Sequence, residues 1–232
     1  MIRTSFDKEL QRLQDETLAL GSLVENALTE SVELLKRRDM EGSRRLIRED
    51  RELINPKRFE IEEQALVLIA TQQPIATDLR IIAAILDIAH ELERIGDYAK
   101  GIARINILIG NEPLLKPLID VPLMAEKARD MLHRALESFI QHDVEAAHAI
   151  PEEDDEVDNL YKQVYRELLS YIIADPSTIE QANYLLWAAH NLERAADRVT
   201  NICERVIFTV TGKMEELDIA ELEIPGGSGL RR

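Results

Sequence analysis

The sequence predicts an all-α protein made of two tandem three-helix bundles, and three observations carry that expectation. Only nine glycines and eight prolines punctuate the 232 residues, aromatic residues are 4%, and no alternating apolar run bounded by turn residues marks a strand. Two long segments step their apolar residues alternately by four and three, the signature of a helical packing seam. The chain also repeats itself: "AHELERIGDY" begins at Ala89 and "AHNLERAADR" at Ala189. Laid without a gap, Asp87 to Asn106 matches Trp187 to Val206 at seven positions, among them His, Glu, Arg and Asp.

Boundary chemistry then divides the chain into six long helices, at about 3–38, 40–70, 75–110, 118–142, 144–174 and 177–212. The joints "RRDMEG", "TQQP", "GNEPLLKP", "QHD" and "ADPS" each place Asp, Gly or Pro at a break. Pro56 falls inside the second helix, where a missing N–H and a fixed φ predict a kink or a fresh start. The third helix carries the seam Ile81, Ile85, Ile88, Leu92, Ile95, Ala99 and Ile102. The sixth carries Leu185, Ala188, Leu192, Ala195, Val199, Ile202 and Val206. Helices of about 35 residues run roughly 50 Å, and short joints stack them antiparallel. The expected units are 1–112, 113–213 and a tail, 214–232, whose "EIPGGSGLRR" has loop composition.

Composition narrows the function. Lysine and arginine total 28 against 44 aspartates and glutamates, a net charge of -16, which argues against nucleic acid and anionic lipid as partners and favours cations or basic protein surfaces. The single cysteine, Cys203, sits within an apolar-periodic helix and reads as a small buried hydrophobe. A chain unable to form an internal disulfide, with no signal-like apolar run at "MIRTSFDKELQRLQDE" and no uninterrupted 18-residue hydrophobic stretch, is expected in the cytoplasm.

The repeated charges need their own explanation. With Leu92 and Ile95 in the seam, His90 and Asp97 lie opposite it and Glu93 beside them; His190, Glu193 and Asp197 follow the same assignment. Core packing does not require these identities. Two carboxylates four residues apart on one helical face repel by a few tenths of a kcal/mol, so a compensating positive charge is expected. Arg94 and Arg194 supply one candidate, a structural salt-bridge network. A hard metal ion supplies the other, because carboxylate oxygens at this spacing provide part of a coordination shell. In "EEDDEVDNL" the fifth helix repeats the spacing with Asp154 and Asp158. The first half is less complete: aligning Ile54-Asn55 with Val157-Asp158 puts Arg51 opposite Asp154 and Asn55 opposite Asp158. Asn55 can ligate through its carbonyl and Arg51 cannot, while Asp50 and Glu52 flank that position and Pro56 can re-aim one of them. His90 and His190 have three open roles: metal ligand, carboxylate partner or surface residue.

With six helices in two halves, "LERIGDY" and "LERAADR" in equivalent places, and "QQPIATDLR" opening the third helix, the chain resembles the PhoU family of phosphate-signalling regulators from about residue 5 to 213. The family's Glu-x-x-x-Asp motif falls on Glu93 with Asp97 and on Glu193 with Asp197; Asp154 with Asp158 matches its second-helix acidic motif, and "NICERVIFTVTGK" is similar to its last helix. The departures are Arg51, Asn55, and Ala195-Ala196 where the first half has Ile95-Gly96. The resemblance implies a cytoplasmic, non-enzymatic negative regulator linking a phosphate ABC transporter, through its ATPase subunit, to a sensor histidine kinase. It also implies metal ions, including multinuclear iron clusters or other divalent cations, on Glu93, Asp97, Asn55, Asp154, Asp158, Glu193 and Asp197, and a homodimer that reaches the membrane only through protein partners.

Two other classes compete. A metal-free helical scaffold keeps the partners and turns both motifs into salt-bridged surface. A ferritin-like di-iron enzyme needs two Glu-x-x-His pairs inside a four-helix core, and the chain offers one literal match, Glu145 with His148. No phosphate-cradling glycine loop, nucleophile elbow or paired cysteine motif is present.

Overall fold

The computed structural model describes residues 2–217, and every regular element among them is helical. Helices α1 (Ile2–Arg37), α2 (Met40–Glu49), α3 (Asn55–Gln72) and α4 (Thr77–Ile109) make the first half; α5 (Asp120–Gln141), α6 (Val144–Ala149), α7 (Asp154–Ala174) and α8 (Ile179–Thr211) make the second. The expected 40–70 helix is thus α2 and α3 joined by a π-helical turn, Asp50–Ile54, directly ahead of Pro56. Pro56 has no N–H to return to the carbonyl four residues back, and the helix widens there: the Asn55 N–H bonds to the Asp50 carbonyl instead. The expected 144–174 helix is also divided, by a 3₁₀ turn at Ile150–Glu153 that contains Pro151. That break was not expected, although its cause is the same residue type. Of the tail from 214, only Met214–Leu217 is described, without regular structure; 218–232 lie outside the described residues.

The repeat extends to the turns. Arg38 and His142 both adopt left-handed backbone, with φ of 60° and 55°. Each precedes an aspartate N-cap: the Asp39 carboxylate accepts the Gly42 N–H at 2.8 Å and that of Asp143 the Ala146 N–H at 3.0 Å.

Every seam residue of α4 and α8 is buried. The two halves do not keep separate cores: one apolar cluster runs from α1 through α4 and α8 to α7. The α4–α8 contact is antiparallel, early residues of one meeting late residues of the other. Arg80 Nε donates to the Thr209 carbonyl at 3.2 Å, Asp87 pairs with Arg205 and Glu91 with Arg198, each at 3.5 Å, and the Arg194 guanidinium lies 5.3 Å from the Tyr98 ring centre. This arrangement sets the two Glu-x-x-x-Asp motifs at one level in the middle of the molecule, each near the second helix of its own half. Cys203 is buried in α8, and desolvation pushes its thiol up to about 12, so it packs as an apolar side chain.

One buried polar cluster departs from the apolar pattern. Asn106 is fully buried at the end of α4; its Nδ2 lies within hydrogen-bonding reach of the Leu34 carbonyl at 3.1 Å, the Asp39 carbonyl at 3.0 Å and Ser43 Oγ at 2.8 Å, and its Oδ1 accepts from Arg38. It ties α4 to the turn between α1 and α2. The repeat places Val206 at the equivalent position, so the second half lacks this tie.

Candidate functional site

In the second half, α8 carries His190, Glu193 and Asp197 on the flank beside α7, because Leu192, Ala195 and Ala196 occupy the buried face. His190 Nδ1 stands 3.0 Å from Glu193 Oε2, and the His190 ring tilts against Tyr161 of α7 with centres 5.9 Å apart. The histidine is therefore a carboxylate partner here. That contact fixes the register of α7 on α8 and puts Asp158, one turn before Tyr161's successor Lys162, beside Glu193. Burial, then the charge of Asp197, hold the Glu193 carboxyl above its ordinary pKa; His190 opposes this and Asp158 adds to it. Only a fifth of the Glu193 side chain is exposed. Asp158 is half-buried and has Lys162 Nζ at 3.1 Å, on the exposed side. Asp154, half-buried at the first turn of α7, continues the acidic row.

Glu193, Asp197 and Asp158 thus form an anionic group whose mutual repulsion is felt at Glu193 itself. Hard carboxylate oxygens with one imidazole suit a divalent or trivalent cation in donor chemistry. Among the described residues, however, no three His, Cys, Asp or Glu side chains already converge at metal-binding geometry.

The first half solves the same electrostatic problem differently. The Lys100 ammonium hydrogen-bonds Asp97 and reaches across to Asp50 Oδ2 at 2.7 Å. Asp50 belongs to the π turn ahead of Pro56, and its side chain is 1% exposed. Of the two acids flanking Arg51, it is Asp50 that turns inward, while Glu52 and Arg51 stay exposed. Gly96 makes room for this turn: a Cβ there would lie 3.3 Å from Ile54 and 3.5 Å from Asp50 Oδ1. Glu93 is half-buried, Asn55 is half-buried with its Oδ1 lacking a hydrogen bond, and Asp97 is 45% exposed. The residues here do not fit a metal as they stand, because an ammonium occupies the bridging position. His90 accepts from Arg94 Nε at 3.1 Å, so it does not serve Glu93. Of the two motif arginines, Arg94 donates to His90 and the Arg194 guanidinium lies over the Tyr98 ring.

Sequence reasoning missed Lys100. It sits three residues after Asp97, an ordinary helical ion-pair spacing, but the repeat overlay carries the signal: the matching residue in the second half is Thr200. The ferritin-like alternative has no support in the geometry, since Glu145 and His148 are both exposed on the short α6 and reach no four-helix core.

Comparison with known proteins agrees with this repeat. The description "PhoU domain" matches the chain twice, over residues 17–105 and 121–206. A relative named phosphate-specific transport system accessory protein PhoU homolog, from Clostridium acetobutylicum, is 34% identical over 219 residues, covering 94% of this chain and all of that protein. One of the same name from Aquifex aeolicus is 36% identical over 207 residues, 89% of this chain and 93% of that one. The crystal structure of PhoU from Pseudomonas aeruginosa superposes with a TM-score of 0.84 at 32% identity, covering 90% of this chain and 100% of that one. Two matched repeats, full-length relatives and a shared helical architecture together establish that this chain belongs to the PhoU family.

Proposed function

We propose that this chain is a negative regulator of phosphate uptake and phosphate-starvation signalling, acting as an adaptor between a phosphate ABC transporter and a sensor histidine kinase rather than by turnover. The relatives' names support the transporter side, and no helix among the described residues is long and apolar enough to cross a membrane, so attachment runs through partner proteins. The observation that carries the reading is the anionic group Asp158, Glu193 and Asp197 beside the core, where burial and the neighbouring carboxylates hold Glu193 above its ordinary pKa.

In this reading a bound cation neutralises the second half's acidic face and so alters its affinity for basic partner surfaces. Glu193 and Asp197 hold it from α8, and Asp154 and Asp158 from α7. Iron and other divalent ions all suit these oxygen donors, which discriminate poorly. The surrounding charge of -16 speeds encounter with basic patches and weakens with salt. Homodimerisation, expected from the resemblance, belongs to the same proposal. The lack of three preassembled ligands among the described residues favours a second reading, a metal-free scaffold with the same partners.

Calorimetric binding of metal-loaded and metal-free protein to the cognate ATPase subunit and kinase domains, at two salt concentrations, separates these readings. Binding to both partners, weaker at high salt and changed by metal, is expected. Equal affinity of the two forms would remove the metal from the mechanism, since a ligand without differential interaction shifts nothing. No binding to either partner, together with hydrolysis of a phosphate ester, would replace the adaptor by an enzyme.

A further inference from the structure

We propose that the cavity where the carboxyl end of α4 meets the start of α8 is an anchor pocket for an arginine side chain of a partner protein. The inference lies away from the acidic motifs and needs no metal; it rests on the adaptor reading only for the protein that carries the arginine.

The internal repeat supplies the template. At the opposite end of the same helix pair, the start of α4 meets the end of α8. There Arg80 Nε donates to the Thr209 carbonyl at 3.2 Å, and its Nη2 donates to Thr77 Oγ1, also at 3.2 Å. A guanidinium suits that place, because the last carbonyls of a helix lack intrahelical donors and carry partial negative charge. Moving Arg80, Thr209 and Thr77 by the hundred residues of the repeat gives Glu180, Ile109 and Ser177, and all three line one cavity of about 480 Å³. The fold thus builds one junction twice, but the second copy has a carboxylate where the first has a guanidinium. The helix end is shorter as well: α8 runs to Thr211, opposite Asn111 in this register, whereas α4 stops at Ile109. Pro113, four residues after Ile109, has no N–H with which to close a further turn on that carbonyl.

The rest of the lining suits the same side chain. Glu112 adds a second carboxylate, and no lining side chain is cationic. Arg38 reaches this helix end from elsewhere, on the Gly110 carbonyl, and is not part of the lining. The Tyr184 hydroxyl donates to one oxygen of Glu180 at 3.2 Å and steadies the carboxylate. Leu108 and Leu114 offer apolar surface to the methylene stem of a long cationic side chain. One wall is set in advance: Gln181 Nε2 donates to the Pro113 carbonyl at 2.8 Å and its Oε1 accepts the Leu115 N–H, which ties the linker to α8 and lowers the ordering cost of binding. The mouth points to a protein as the carrier. Leu108 is 59% exposed, and Ile179, between the lining residues Thr178 and Glu180, is 52% exposed. A charged pocket inside an apolar rim fits an arginine anchor at a protein interface, and the net charge of -16 draws basic partners to it.

The test titrates the isotopically labelled full chain with three probes while backbone amide shifts are followed by nuclear magnetic resonance. The probes are acetyl-Leu-Arg-Leu-amide, the same peptide with citrulline for arginine, and free arginine. The arginine peptide is expected to move the amides of Glu112, Ser177, Glu180 and Gln181 saturably. It should bind at least about tenfold more tightly than the citrulline peptide, which keeps the shape and loses the charge, and more tightly than free arginine, which lacks the apolar flanks. Glu180→Arg restores the counterpart of Arg80; it should abolish these shifts and raise the melting temperature by about 1–4 °C by capping α4. Should that variant fold poorly, Glu112→Gln with Glu180→Gln, both at exposed positions, should still weaken the peptide about tenfold or more. Equal binding of the arginine and citrulline peptides, tighter binding of free arginine, or shifts that persist in these variants would overturn the inference. If the peptide does not bind while the ATPase subunit or the kinase does, the pocket fails and the adaptor reading stands. If the peptide binds and neither protein does, the adaptor reading fails and the pocket stands.

Discussion

Replacing Glu193 and Asp197 together by alanine is expected to strip most bound metal from the protein while leaving its far-ultraviolet helicity nearly unchanged. Even partners outside the coordination shell are worth about 10–100-fold in metal affinity, so loss of two direct ligands should weaken binding by about a hundredfold or more. The fold should not suffer, because Leu192, Ala195 and Ala196 fill the buried face of α8 and the carboxylates stand beside it. The change should even relieve the repulsion that raises Glu193, a gain of a few tenths of a kcal/mol on the scale of like charges one turn apart. Metal titration followed by calorimetry checks the first expectation and thermal melting the second. Collapse of the helix signal would show that the motif is a structural salt-bridge network.

Asn106→Ala is expected to be the opposite kind of change, destabilising by about 2–4 kcal/mol without altering metal content. The substitution opens a small cavity and removes the amide shared by the Leu34 and Asp39 carbonyls and Ser43 Oγ; the carbonyls keep their backbone donors from Asp39 and Ser43, so the cost is that of the hydrogen bonds lost, about 0.5–1.5 kcal/mol each and about 1.5–3 kcal/mol for the one to the charged Arg38. Arg38, held against Asn106 and the Gly110 carbonyl, loses one anchor as well. Urea unfolding monitored by circular dichroism measures the loss. A cost below about 0.5 kcal/mol would mean that water replaces the amide and that the first turn needs no internal tie.

These residues also mark where the sequence stops being legible. The helices, their joints and both seams follow from periodicity and punctuation, since a 3.6-residue repeat and a cap such as Asp39 or Asp143 act locally. The position of the acidic motifs off the core follows from the same register. Asn106 was not legible, because its partners come from residues 34 to 43, far away in sequence, and periodicity alone reads it as a break in an apolar stripe. Lys100 was half legible. Its contrast with Thr200 is visible in the repeat, but its significance depends on Asp50 being swung inward, which requires the π turn that Pro56 imposes and the space that Gly96 leaves. The sequence allowed Asp50 or Glu52 to be re-aimed and could not choose between them. Nor could it show that α4 and α8 would merge the two halves into a single core, because the small and polar residues at that contact, Gly101 and Asn191 among them, carry no strong periodic signal.

The central proposal is that the acidic group Asp158, Glu193 and Asp197 of the second half takes up a cation, whereas Lys100 already bridges Asp50 and Asp97 in the first. Anomalous diffraction from crystals of the chain grown with Mn²⁺ tests it most directly, because one map views both sites under one set of conditions. The account predicts an anomalous peak within coordination distance of Glu193, Asp197 and Asp158, and no peak beside Asp97, where the Lys100 ammonium should remain on Asp50. Peaks of equal height at both motifs, with Lys100 displaced, would contradict it.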